Sequence, residues 1–512
     1  APAPYAAGTG SAAVLPDASI TLGASTNGSI AYYAGYIGNI DTLTLVDNTY
    51  WLINNTLLLK VLNDVAVINN IPQSVTAIAR YAFYKNTSVQ TLYVPSTITQ
   101  INDYAFYGCT NLTTIYNYSS MSMTRGASTN GHVAYYAKAY LKIDPTTNTV
   151  TSYDGTVRVL EIPEGVVAIG ANAFKANKYL SVLTLPSTLT TIGETAFQDC
   201  FNLGVIINNS ALEISLETTA LGYIGYYASY VGDGSELTNT DGLIVNRETD
   251  MLLKYIGEDK VVVIPNGVTS IARYAFYYTL DRTSVTIPDS VTDIYASAFN
   301  NSYFADVYYS SLENWLNLKF HSTMANPLYY AQNLYFNKVK LEGTLTIPVG
   351  TTKVLFSAFI NYKHITAISI PYSVTSIGNY AFRGCSNVKT VTFGTGSKLT
   401  YLGSYSFYNC SALTSITIPS GVTVIEEYAF AKCSSLQRVN HASNSSSLHT
   451  IARHAFEDCT SLVSFTITRN VTDIDEYAFS GCSSLERVVF LDTKGWYWAT
   501  LVTTATGTAK DV

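Results

Sequence analysis

The sequence predicts a repeat solenoid of the α/β type, mostly β. A parallel β-sheet is expected on one face and short helical or 3₁₀ turns opposite. Three observations carry this. An Ala-Phe pair recurs, ending at Phe83, Phe106, Phe174, Phe197, Phe276, Phe299, Phe359, Phe382, Phe430, Phe456 and Phe479, with Ser406-Phe407 as a variant. The step is 23 residues within each early pair, then 25, 23, 26 and 23 from Phe382 onward. Self-similarity at roughly 20–50 residues is the mark of stacked coils, in which each coil buries its apolar edge on its neighbours. Finally, every cysteine lies three residues after a repeat Phe.

One coil, 413–436, shows how the pattern builds structure. Leu413, Ile416 and Ile418 are apolar; the two-residue step from Ile416 to Ile418 marks a short strand with Ser415 and Thr417 facing out. Pro419 ends that strand, because it has no N–H for a ladder. Val422 and Ile425 line the next side, Ala429 allows a tight turn, and Phe430 fills the middle. Stacking places strand beside strand at about 4.8 Å and Phe beside Phe.

The seven cysteines are Cys109, Cys200, Cys385, Cys410, Cys433, Cys459 and Cys482. An odd number at one repeated position is not a disulfide framework, and no pair has metal-ligand spacing. They are expected to form a column of buried thiols that ties turn backbone together, a role taken by Asn86, Asn177, Thr279, Ser302 and Tyr362 in other coils.

Outward strand positions form the candidate partner-binding ribbon: Tyr93, Tyr116, Thr390, Thr392, Ser415, Thr417, Arg438, Asn440, Ser464, Thr466 and Arg487, with Val182 and Thr184 between. The ribbon is flat, mostly neutral and rich in Thr and Ser, which also suit any solvated strand. Charged residues are 13% and the net charge is −7, so no basic face for nucleic acid exists. No run of 18 apolar residues offers a membrane span. The opening Ala1-Pro2-Ala3-Pro4 resembles what signal cleavage leaves, so export is expected.

A longer period overlies the short one. Gly23–Gly28 recurs as Gly126–Gly131, and each leads into Ala-Tyr-Tyr-Ala, at 31–34 and 134–137. Tyr226-Tyr227-Ala228 and Tyr329-Tyr330-Ala331 repeat its centre. The expected division is 1–122, 123–214, 215–317, 318–490 and a closing segment 491–512, without linkers, as one continuous rod.

The pattern Leu413-x2-Ile416-x-Ile418-Pro419-x2-Val422-x2-Ile425-x3-Ala429-Phe430-x2-Cys433-x2-Leu436 resembles the BspA-like leucine-rich repeat family over most of the chain. The resemblance implies a right-handed leucine-rich-repeat solenoid that is secreted or held at the cell surface and that adheres to proteins or cells. It implies no catalytic residues and no cofactor. A structural subunit of a self-assembling extracellular filament or layer, binding copies of itself, is the alternative, favoured by the low charge and 41 tyrosines.

A search for chemistry finds little. His441, His449 and His454 cluster near Glu457 and Asp458, and Asp473, Asp475 and Glu476 form an acidic turn. Neither shows ligand or catalytic spacing. Gly394–Lys398 lacks the full phosphate-loop pattern, and the polar loop 232–241 lacks the spacing of a calcium loop. No catalytic, cofactor or metal residue is expected.

Overall fold

The computed structural model describes residues 40–62, 65–443 and 447–492. The first Gly-Ala-Ser-Thr-Asn-Gly copy, the first Ala-Tyr-Tyr-Ala and nearly all of the expected closing segment lie outside the described residues. The fold is a mostly β solenoid built from parallel sheets, with few helices. It divides into two compact units: 1–157 with 164–175 and 188–196, and 158–163 with 176–187 and 197–512.

The first unit opens with an antiparallel meander, Leu43–Val46, Tyr50–Ile53 and Leu57–Val61. Its last strand continues as a parallel ladder through Ala77–Ile78 and Gln100–Ile101. A second sheet stacks Val67–Ile68, Thr91–Val94, Thr114–Asn117 and Ala139–Asp144 in parallel. Strand Ala139–Asp144 then turns back on Thr149–Gly155, which leads into Ala168–Ile169 and Thr191–Ile192. Phe83 and Phe106 stack at 4.2 Å in the core.

The second unit has a front sheet of Val159–Glu161, Val182–Leu185, Val205–Asn208 and Tyr230–Gly232, all parallel. A meander follows, Leu237–Thr240, Leu243–Asn246 and Met251–Tyr255. Another front sheet joins Val261–Val263, Arg282–Thr286, Phe304–Tyr309 and Asn333–Phe336. From there the coils are regular: Gly343–Thr346, Ile365–Ile370, Thr390–Phe393, Ser415–Ile418, Arg438–His441, Ser464–Ile467 and Arg487–Phe490. A second ladder of two-residue strands, Lys353–Val354 to Asp473–Ile474, runs beside them. Val424–Ile425 belongs to it, so the side of the coil expected merely to be lined by Val422 and Ile425 is itself hydrogen-bonded. Phe359, Phe382, Phe407, Phe430, Phe456 and Phe479 stack at 5.3–5.6 Å from ring to ring.

One detail corrects the expectation. The Ala-Phe segments are turns, not helical or 3₁₀ turns. The residue two before each Phe and the residue two after it both have positive φ: Tyr428 (56°) and Lys432 (61°) flank Phe430, and Tyr380 (62°) and Gly384 (75°) flank Phe382. A helix would spend its N–H groups within the turn. Alternating right- and left-handed residues instead aim them along the stack. Phe407 N–H donates to Ala429 O (2.8 Å) and Asn409 N–H to Ala431 O (2.8 Å), and Phe430 repeats the bond to Ala455 O (2.8 Å). A left-handed non-glycine residue costs about 1–2 kcal/mol, and the bonds between coils offset it.

Each meander starts such a ladder. Val61 N–H donates to Ala82 O, Tyr153 N–H to Ala173 O and Tyr255 N–H to Ala275 O. Lys60 and Lys254 add Nζ bonds to the carbonyls of the left-handed Tyr81 (3.1 Å) and Tyr274 (2.6 Å). Lys254 is fully buried, and desolvation, with Arg158 nearby, holds its amine well below the ordinary lysine range.

Candidate binding surface

Alternation along each strand decides what faces out. In Ser415–Ile418, Ile416 and Ile418 are buried while Ser415 and Thr417 are exposed. Parallel register then lines up Thr390, Ser415, Arg438, Ser464 and Arg487 as one column. Thr392, Thr417, Asn440 and Thr466 occupy the outward position two residues on. Thr390, Thr392, Ser415, Thr417, Arg438, Asn440 and Arg487 are exposed; Ser464 and Thr466 are half-buried. His441 Nε2 lies 2.9 Å from Thr466 O and its ring meets Phe465 edge-on, which ties these two coils together at the strand end. Among the described residues, no carboxylate comes within ion-pair distance of Arg438 or Arg487.

Tyr93 and Tyr116 behave differently. They stack at 4.5 Å, Tyr93 half-buried and Tyr116 only 5% exposed. Tyr116 therefore leaves the set of exposed ribbon residues. The reason is steric: Tyr93 packs against one side, and its register partner Leu141 flanks the other. Val182 is also outward yet buried, at 5%. With Val205 and Tyr230 it forms a small core against Ile244, Leu253 and Ala272. The meander 237–255 thus lies over that front sheet.

On the opposite side the thiol column is continuous with the turn ladder. Six Sγ atoms donate to the Phe carbonyl of the preceding coil: Cys109 to Phe83 (2.9 Å), Cys385 to Phe359 (3.1 Å), Cys410 to Phe382 (3.3 Å), Cys433 to Phe407 (3.2 Å), Cys459 to Phe430 (3.2 Å) and Cys482 to Phe456 (3.1 Å). Burial pushes the thiols of Cys109, Cys200 and Cys433 up to about 12, and those of Cys385 and Cys410 upward too. Six of the cysteines are buried; Cys482 is half-buried. In a coil without Cys, Asn86 Oδ1 instead accepts from the N–H groups of Ser88 and Val89, and Ser302 Oγ donates to Phe299 O.

The structure also holds a column that sequence reading missed. Tyr380, Tyr405, Tyr428, His454 and Tyr477 stack face to face at 4.8, 4.6, 4.5 and 5.1 Å. All occupy the left-handed position two before the repeat Phe. The guanidiniums of Arg383 and Arg453 sit over Tyr408 (5.4 Å) and Tyr477 (5.5 Å). The recurrence of Tyr at that offset was the available signal.

The histidine cluster is dispersed in its roles. His441 is half-buried, and desolvation lowers its pKa against the opposing contact to Thr466 O; His449 bonds Thr450; His454 is stacked, with Glu457 Oε1 3.3 Å away. No group of three His, Cys, Asp or Glu side chains among the described residues is placed to hold a metal ion. No helix of the described residues is long and apolar enough to cross a membrane.

Residues 64–128, 151–219, 258–359 and 352–486 match the family described as BspA type leucine rich repeat region. The chain belongs to that family. The Leu-Ile-Ile-Pro-Val-Ile-Ala-Phe-Cys coil of 413–436 is thus the BspA-type repeat; the meander 43–61 precedes the first matched stretch and the meander 237–255 lies between two of them. Among solved structures, a leucine rich cell surface protein from Faecalibacterium prausnitzii is 22% identical, with 73% of this chain and 96% of that one covered and a TM-score of 0.38. A leucine-rich repeat protein from Bacteroides ovatus is 20% identical, covering 88% and 94%, with a TM-score of 0.26. The pneumococcal vaccine antigen PcpA is 15% identical, covering 89% and 99%, with a TM-score of 0.29. A search of curated proteins returned no match.

Proposed function

We propose that this BspA-type chain is an extracellular or cell-surface protein that captures protein partners, in adhesion, through the open face of strands Gly343–Thr346 to Arg487–Phe490. The observation that carries the reading is the register-aligned row of polar side chains, Thr390, Ser415, Arg438, Ser464 and Arg487, backed from Val391 to Phe465 by buried apolar residues. A flat surface of this kind meets a partner with little change of its own shape, because each rung is fixed by its neighbours. The two arginines supply the type of side chain that dominates interface energies.

The test is binding of the fluorescent full chain to cultured cells, compared with a triple variant Thr417→Asp, Arg438→Glu, Arg487→Glu. Loss of cell capture with unchanged thermal stability supports the reading. Equal capture by the variant removes it. Light scattering and electron microscopy of the same sample report on the filament alternative, which predicts concentration-dependent polymers.

A further inference from the structure

A second surface of the second unit has a different chemistry. An open groove of about 700 Å³ lies on the front sheet of Val261–Val263, Arg282–Thr286 and Phe304–Tyr309. Its lining includes Val261, Thr286 and Tyr308 from these strands, Asp289 beyond one strand end, Asn266, and the turn Asn337-Lys338. We propose that this groove binds a neutral saccharide chain.

The argument starts from what a sugar ring presents. It has an apolar C–H face and a rim of hydroxyls that must both donate and accept. Tyr308 offers an aromatic wall, held by Tyr335 stacked behind it at 4.6 Å and 18°. Two strands away, at the end of the sheet, Val261 adds exposed aliphatic surface. The rim supplies amides from Asn266 and Asn337 and the carboxylate of Asp289, which accepts from the Ser310 hydroxyl. Asn337 and Lys338 both have positive φ, 48° and 66°, because their two-residue turn joins Asn333–Phe336 to Val339–Lys340. The volume lies within the roughly 300–1,000 Å³ of small-ligand sites.

Two features select the ligand class. One carboxylate and one ammonium line the groove, so no single charge dominates it. Arg282–Thr286 and Phe304–Tyr309 are interior strands, paired on both sides. An extended peptide gains much of its affinity by pairing with a free strand edge; the edge of this sheet belongs to Val261–Val263, whereas Tyr308 lies two strands in, where only side chains are presented. A polyhydroxyl chain needs only side chains.

The test is affinity electrophoresis of the full chain in gels containing soluble starch, hydroxyethyl cellulose or galactomannan, with alginate as an anionic control. Retardation by at least one neutral polymer is expected. It should weaken at least tenfold in Tyr308→Ala and in the exposed-turn variant Asn337→Ala. Tyr303→Ala, at an exposed tyrosine outside the groove lining, should match the unaltered chain. The proposal is overturned if no neutral polymer retards the chain, if only alginate does, or if both groove variants bind as well as the unaltered chain. These outcomes do not bear on the 343–490 face, which the cell-capture variant tests separately.

Discussion

Two stretches of the second unit use the same coil for opposite ends. In the front sheet from Val159–Glu161 to Tyr230–Gly232, the outward column reads Val159, Val182, Val205 and Tyr230. In the run from Thr390–Phe393 to Arg487–Phe490 it reads Thr390, Ser415, Arg438, Ser464 and Arg487. The inward positions barely differ: Leu183 and Ile206 in one, Val391, Ile416 and Val439 in the other, all buried. The outward chemistry decides what happens next. Val182, Val205 and Tyr230 of the apolar column are covered by the meander 237–255, whose Ile244 and Leu253 close over them, while Val159 at its end stays exposed; the polar column stays open. The covered stretch shows, within the same chain, that a front sheet of this repeat is a surface on which another segment can pack.

Variants can break that contrast, beginning with the backing both stretches share. Phe430→Ala removes a fully buried ring from the stack between Phe407 and Phe456. We expect a loss of about 3–5 kcal/mol, read as a lowered midpoint in urea. A smaller and more telling effect is expected from Val205→Ser. Val205 is buried under the meander, so the change should cost about 1.5–3 kcal/mol. Thr417→Ser at an open outward position should stay within about 0.5 kcal/mol. Equal costs at the two sites would erase the distinction.

The turn ladder sharpens the comparison further. Cys433→Ala deletes one Sγ bond to Phe407 O and should cost about 1 kcal/mol. The thiols also set an alkaline limit. Burial raises Cys109, Cys200 and Cys433 from 9.0 to about 12. The folded state therefore resists ionisation that the unfolded chain undergoes. Stability from this source is complete below pH 9 and is lost as pH rises toward 12, so the thermal midpoint should fall across that window. Substituting Cys109, Cys200 and Cys433 by Ala should flatten the fall.

Much of this was legible in the chain. Leu413, Ile416, Ile418, Val422, Ile425, Ala429, Phe430, Cys433 and Leu436 are all buried where the repeat pattern put them, because period-2 strands and one Phe per coil leave few alternatives. The turns were misread because left-handed Tyr and Lys residues have no propensity signature; only stacking makes their conformation worthwhile. The meanders were missed for another reason. Asp241-Gly242 is a two-residue hairpin turn, with φ of 51° and 77°, and such a pair is a strong hairpin signal; Asn54-Asn55, with φ of 46° and 56°, opens the three-residue link from Ile53 to Leu57. The meander strands carry no Ala-Phe pair, so the 23-residue period says nothing about them. Exposure of the ribbon was only half legible, since Tyr116 and Val182 are outward by alternation yet covered by neighbours no local pattern reveals.

The most direct measurement is the rate at which maleimide modifies single cysteines placed on the two outward columns. In a Cys482→Ser background, where the remaining native thiols are buried, Thr417→Cys and Val205→Cys are compared without denaturant. Thr417→Cys should react at the rate of a free thiol, and Val205→Cys only on the timescale of opening or unfolding. Equal rates at the two positions would contradict an open binding face on one stretch and a covered one on the other.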